Sequence, residues 1–330
     1  MLFSGIFLLG YAAALVLFPL VRVSDTNLMK IATRNPVTPG GFGYALQRYQ
    51  EADRHDPVDV VFLGSSHAYR TYNPAVWQVR GFSAFNLGST GQTPLNSYYV
   101  LKRYLPTLKP SLVVVDLTYR VIDRDGLESF YDLASNLDWS REVAEMAFDI
   151  GSPHAINAAL AGGVHDLLGF IETHDQRPQE GKRYGPNGFV AFTTADSTQE
   201  ETYARWMKQP PRPVDPHPDQ MGILDDIVTL CAAHGARVVF VAKPEPEGVP
   251  EMVANYAEVT GRFAAIAETN GAGYYDFNDA GLPLVFPDHF HDVEYLNSAG
   301  SDLFNAALVD TLVREGWLAG NRGTGEPGSR

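Results

Sequence analysis

The sequence has 330 residues, 45% of them hydrophobic, enough for one large domain or two modest ones around a packed core. Its formal net charge of −14 excludes an ordinary nucleic-acid-binding protein, which needs a basic surface to displace counterions. A single cysteine, Cys231, excludes an intrachain disulfide, and no Cys/His cluster has zinc-site spacing.

The chain opens on an apolar run, LFSGIFLLGYAAALVLFPLV, from Leu2 to Val21, with no charged residue. At about 1.5 Å per residue, a helix of that length crosses a hydrocarbon core about 30 Å thick. A cleaved signal peptide has a shorter apolar region, a basic start and a small-residue cleavage site, whereas Pro19-Leu20-Val21-Arg22 offers none. The expectation is a transmembrane anchor over residues 1–22, with a packed core helix as the alternative. Arg22, Lys30 and Arg34 follow the run, and the positive-inside rule would keep that side cytoplasmic. Large domains translocate despite such charges, so hydropathy leaves the side open.

Residues 23–57 are polar, contain NPVTPGGFG, and are expected to be a linker. Strands and helices then alternate. VDVVFLG (58–64) is a continuous apolar run, the mark of a strand buried on both faces. FSAFNLG (82–88) is a weaker strand, and 94–108 carries apolar residues at helical spacing. SLVVVDLTY (111–119) is a second central strand. A helix over 223–235 stops at Gly235, and ARVVFVAKP (236–244) is a further buried strand closed by Pro244. GYYDF (273–277) is a short strand, and 297–316 is a final amphipathic helix capped by Asn297 or Ser298. This alternation predicts an α/β fold with a mostly parallel sheet. Residues 120–222 interrupt the rhythm and are expected to be a helical insertion over one end of the sheet. The tail, 317–330, is expected to be disordered.

In an open parallel sheet, ligands bind beyond the carboxyl ends of the strands. The residues there are Gly64, Ser65, Ser66 and His67; Gly88 and Ser89; Asp116, Thr118, Tyr119 and Arg120; and Lys243 and Glu245. FPDHFHDVEYLN adds Asp288, His289, His291 and Asp292. A serine hydroxyl attacks a carbonyl only when a base takes its proton; imidazole titrates near neutrality, and a carboxylate orients it. Each feature also has a structural reading: GSS as a capped strand-to-helix turn, His67 as a loop orienter, DHFHD as a surface loop or metal site. No further ligand set supports a metal.

VVFLGSSHAYRTYNP, FNLGSTGQTPLNSYYVLKRYL, LVVVDLTYR and FHDVEYLNSAG together resemble the SGNH/GDSL hydrolase superfamily. The likeness covers about residues 55–120 and 223–315 and is closest to the membrane-anchored branch that includes DltD-like proteins, itself similar to the alginate O-acetylation proteins. It implies a flavodoxin-like three-layer α/β/α sandwich over 58–316. It implies Ser66 as nucleophile, with Gly88 and the Ser66 N–H forming the oxyanion hole. Thr118 or Tyr119 lies nearest the third-block donor, and Ser65 and His67 line the same turn. The family pattern Asp-x-x-His places Asp292 correctly but puts Tyr295 at the histidine; a literal Asp-x-x-His runs from Asp288 to His291. The expected base is His291, then His289, oriented by Asp288 or Asp292.

The resemblance thus implies an extracytoplasmic, membrane-anchored serine esterase or O-acyltransferase acting on a glycan or acylated glycoconjugate. A membrane acyltransferase is the expected partner, with no nucleic acid, cofactor or metal. If Tyr295 breaks the triad, the alternative is a non-catalytic glycan-binding or partner subunit.

Overall fold

The structure, a computed structural model, describes residues 2–24, 26–37, 40–170, 176–194 and 196–319. Helix α1 (Leu2–Leu17) is followed by a two-residue ladder, β1 (Arg22–Val23) with β2 (Thr26–Asn27), then α2 (Leu28–Ala32) and α3 (Ala45–Ala52). The first apolar run forms β3 (Val60–Leu63), and the chain continues through α4 (Ser66–Thr71), α5 (Pro74–Val79) and β4 (Ala84–Asn86). Next come α6 (Pro94–Leu108) and β5 (Leu112–Asp116). The insertion holds α7 (Leu127–Asn136), α8 (Arg141–Ile150), α9 (Pro153–Leu167), a hairpin of β6 (Lys182–Tyr184) and β7 (Val190–Phe192), and α10 (Gln199–Trp206). The fold closes with α11 (Pro218–Ala233), β8 (Arg237–Ala242), α12 (Tyr256–Thr269), β9 (Gly273–Asp276) and α13 (Ser298–Arg314).

The central sheet has five parallel strands in the order β4-β3-β5-β8-β9. Numbered within the sheet this is 2-1-3-4-5, the flavodoxin-like order, whose ligand crevice lies where the order reverses. Here that point is the carboxyl end of β3 and β5. The three central strands are apolar along almost their whole length, with Asp116 and Arg237 only at their ends, because alternate residues face different cores. Val61, Leu63, Val113, Val115 and Phe240 pack with Leu101 of α6, Leu224 of α11 and Phe263 of α12. Val60, Phe62, Val114 and Val239 pack with Trp77 of α5 and Phe304 and Leu308 of α13.

The expected membrane span differs. Helix α1 has 16 residues and ends at Leu17, before Pro19. Proline disfavours helix in the residue before it and removes an N–H donor, so the apolar run bends rather than continuing. Among the described residues no helix is long and apolar enough to cross a membrane. One face of α1 packs on α9: Leu15 contacts a cluster with Ala161 and Val164, and Tyr11 Oη donates to Asn157 Oδ1 at 2.5 Å.

Residues 23–57 are more than a linker. Ala45, Tyr49 and Ala52 fall on one face of α3 and enter the main core, and Tyr49 Oη donates to the Leu87 carbonyl at 3.1 Å. The insertion divides in two. Phe130, Leu133, Met146 and Ala155 join the main core, whereas the β6–β7 hairpin reaches α4. At the other end Leu318 is buried and Trp317 Nε1 donates to Tyr275 Oη at 2.8 Å; of the expected tail, residues 320–330 lie outside the described residues.

Candidate active site

The turn after β3 is shaped by Gly64, whose φ of +137° is costly for any residue with a side chain. A Cβ there would sit 2.8 Å from Asp116 Cβ, so β5 crowds the turn as well. The tight turn makes Ser65 the N-cap of α4. Ser65 Oγ accepts from His67 N at 3.3 Å and lies 3.0 Å from His67 Nδ1, all buried. Capping thus occupies Ser65 and leaves Ser66, first in the helix and half-buried, as the hydroxyl at the crevice.

Ser66 Oγ lies 2.8 Å from Tyr295 Oη. The loop before α13 sets that pairing. Asp292 Oδ1 accepts from Glu294 N at 2.7 Å and Tyr295 N at 2.9 Å, and His291 N donates to Tyr295 O at 2.8 Å. Asn297 N donates to His289 O, Phe290 bridges Leu296, and Asn297 caps α13. This pinched loop aims residue 295 at the crevice. Burial pushes the Tyr295 phenol up to about 12, with the Ser66 hydrogen bond pulling the other way.

The two late histidines, expected as candidate bases, form no hydrogen bond with Ser66. The His291 ring stacks on Phe192 of β7 with centroids 3.5 Å apart, and burial holds its pKa below the usual value. His289 Nδ1 accepts from Val285 N at 3.0 Å. Asp288 is an exposed residue whose carbonyl accepts from Asn297 Nδ2 at 2.7 Å. Asp292 is committed to backbone N–H groups, so it shapes the loop through Tyr295's backbone. The literal Asp-x-x-His from 288 to 291 thus makes no hydrogen bond to Ser66, and it is Tyr295 of the Asp292–Tyr295 register that faces the serine.

Gly88 lies beside the Gly64–Ser66 turn, where a Cβ would meet the Gly64 carbonyl at 3.0 Å. Its N–H, however, donates to Asn86 Oδ1 at 3.0 Å, and Asn86 Nδ2 is anchored on the carbonyls of Ala68 and Tyr72. Thr118 and Tyr119 line a small cavity with Lys243, Glu245 and Asn278. Tyr119 Oη donates to Glu245 Oε2 at 2.9 Å, and Thr118 Oγ1 accepts from Arg120 N at 3.2 Å.

Behind the turn lies a buried polar group. Asp116 Oδ1 accepts from Tyr72 Oη at 2.9 Å, and burial pushes its carboxyl up to about 7. Asp116 Oδ2, His67 Nε2 and Lys243 Nζ are buried without a hydrogen-bond partner among the described residues. Burial, then the charges of Lys243, Arg120 and Arg70, hold His67 neutral well below its ordinary pKa. Among the described residues no group of three His, Cys, Asp or Glu side chains could hold a metal ion.

Two residues at this site carry no motif and are absent from the sequence reading. Arg70 follows Ser66 by four, one helical turn along α4, and its guanidinium carbon lies 4.2 Å from the Phe192 ring centroid. The interval of four was the available signal for Arg70. Phe192 comes from the insertion, and only tertiary structure brings it here.

No protein-family model matches the sequence, and no curated protein sequence matches it either. Solved structures align with it at low similarity. A GDSL-like lipase from Bacteroides thetaiotaomicron is 12% identical with a TM-score of 0.43, over 83% of this chain and 99% of that one. An acetylxylan esterase from Geobacillus stearothermophilus, solved as a catalytic mutant, is 12% identical with a TM-score of 0.41, over 81% and 98%. A lipase/acylhydrolase from Enterococcus faecalis is 12% identical with a TM-score of 0.39, over 80% and 98%.

Proposed function

We propose that this chain is an SGNH-type protein with an esterase-type acyl-binding site at Ser66, and that the site holds its ligand without activating the serine at neutral pH. The observation that carries this reading is the 2.8 Å hydrogen bond between Ser66 Oγ and the phenol of Tyr295. Attack on an ester needs an acceptor for the serine proton. With its pKa pushed up to about 12, Tyr295 keeps its proton at pH 7. It orients the hydroxyl; it does not deprotonate it. The engaged N–H of Gly88 further weakens oxyanion stabilisation, commonly the largest electrostatic contribution to acyl transfer.

A second reading, a serine esterase or O-acyltransferase, is favoured by the position of Ser66. The hydroxyl stands half-exposed at the point where the strand order reverses, as a nucleophile would. In that reading the Tyr295 phenolate is the base, and the rate rises about tenfold per pH unit towards the phenol's pKa. In both readings the ligand is an acyl ester on a glycan or glycoconjugate, a class suggested by the sequence resemblance. Attachment to an envelope membrane is part of the proposal and is supported by the exposed first half of α1.

Labelling with a serine-reactive fluorophosphonate separates the readings. At pH 7 the wild-type chain is expected to stay unlabelled. Tyr295→His, which restores an imidazole opposite the serine, is expected to label in a manner abolished by adding Ser66→Ala. Wild-type labelling at pH 7 that Ser66→Ala removes would overturn the binding reading in favour of the enzyme.

A further inference from the structure

We propose that Arg70 is the anion-binding residue of this site, so that the ligand held at Ser66 carries a carboxylate or phosphate about one helical turn from its acyl group. The inference deepens the acyl-binding reading and relies on it for the position of the ester. It starts from a contrast among three buried guanidiniums. Arg48 is fully buried and donates to the carbonyls of Gly188 at 3.0 Å and Gly43 at 2.7 Å. Arg120 pairs with Glu245 at 3.0 Å and Glu294 at 3.1 Å. Arg70, 7% exposed, has neither kind of partner among the described residues, and its Nε and Nη1 are buried without an acceptor.

Aromatic rings hold Arg70 in place. Its guanidinium carbon lies 4.2 Å from the ring centroid of Phe192, 5.2 Å from that of Tyr295 and 5.3 Å from that of Tyr69. Rings attract the cation, but they do not accept the hydrogen bonds of five N–H donors directed along the guanidinium plane. Burying those donors unmatched is costly, and an anionic group that accepts two of them side by side removes the cost. The nearby carboxylates are committed elsewhere: Asp292 to Glu294 N and Tyr295 N, Asp196 to Thr198. Lys182 and His291 add basic groups, both held below their ordinary pKa first by burial and then in part by the charge of Arg70. Arg70 therefore stands beside the candidate serine as a buried cation with no carboxylate hydrogen-bonded to it among the described residues.

The test is calorimetric titration of the full chain at low salt with monoethyl succinate (ester and carboxylate), ethyl butyrate (ester alone), acetate and inorganic phosphate. Monoethyl succinate is expected to bind at least about tenfold more tightly than ethyl butyrate, the advantage falling with added salt. Arg70→Lys is expected to lose most of that advantage, because a point charge cannot reproduce the bidentate fork. Stronger binding of phosphate than of acetate assigns the ligand to phosphate esters; the reverse assigns it to carboxylates. Equal affinity for the two esters, or anion binding undiminished in Arg70→Lys and Arg70→Met, overturns the proposal. Anion binding that requires Arg70 while neither ester adds affinity upholds Arg70 and sinks the acyl-binding reading instead. If Arg70→Met does not fold, the wild-type Arg70 Nε resonance decides: a shift on adding phosphate or acetate supports the site, and no shift with either rejects it.

Discussion

Tyr295 lies four positions after His291, and the backbone of that short loop decides which side chain meets Ser66. The turn that presents Ser66 and the Asp292–Tyr295 register were both legible in the sequence, since GSS after an apolar strand and the D-x-x-Y-L-N order are local patterns. The partner of the hydroxyl was harder to read, because a literal Asp-x-x-His four residues upstream offers the chemically better base. Asp116 shows how strongly the environment behind the turn acts. Burial lifts its carboxyl to about 7, so between about pH 4 and 7 the folded protein keeps a proton that the unfolded chain releases. The contribution of this group to stability is therefore complete at acid pH and is lost as pH rises to 7, by at most about 1.4 kcal/mol per unit. Asp132, pushed up to about 6 by burial, acts with the same sign. Asp116→Asn is expected to flatten the slope of urea-unfolding free energy between pH 4 and 7; an unchanged slope would show that Asp116 is ionised in the folded state.

Among elements, long periodic segments were readable and polar ones were not. The strands at 60–63, 112–116 and 237–242 and the helices at 94–108 and 298–314 fall where apolar spacing puts them. Helix α3 was hidden because Gln47, Arg48, Gln50 and Glu51 surround its three core-facing residues. The β6–β7 hairpin was hidden because its strands have three residues each and its role is tertiary. That hairpin brings Phe192 against His291, Arg70 and Tyr295. Phe192→Ala should remove the stacking partner and part of the burial, so the His291 pKa is expected to rise towards its ordinary value in an NMR titration. The lost ring contacts should cost about 1–2 kcal/mol of stability in urea unfolding. A His291 titration unmoved by the substitution would show that the hairpin does not control this side of the site.

At the scale of the whole molecule, the apolar N-terminal run was legible as a helix, but the expected span was longer than the helix that forms. Pro19 limits α1 to 16 residues, about 24 Å, short of a hydrocarbon core of about 30 Å. One face meets α9 in a small cluster separate from the two cores that sandwich the sheet. The first half of α1 lies beyond that contact and leaves Ile6, Phe7, Leu8 and Leu9, which point all round the helix, each more than 60% exposed; Leu167, Leu168 and Phe170 at the end of α9 are exposed as well. An apolar surface of that kind suits burial against a membrane, where removing such side chains from water offsets the loss of freedom on binding. The net charge of −14 opposes anionic lipid, so zwitterionic vesicles are the appropriate probe. The full chain is expected to float with phosphatidylcholine vesicles in a density gradient. A chain lacking residues 1–24 is expected to stay at the bottom while keeping a cooperative transition within a few degrees of the original Tm, because neither sheet core includes α1. Flotation of both chains would move the membrane contact elsewhere on the molecule, and flotation of neither would leave the exposed first half of α1 to a protein partner.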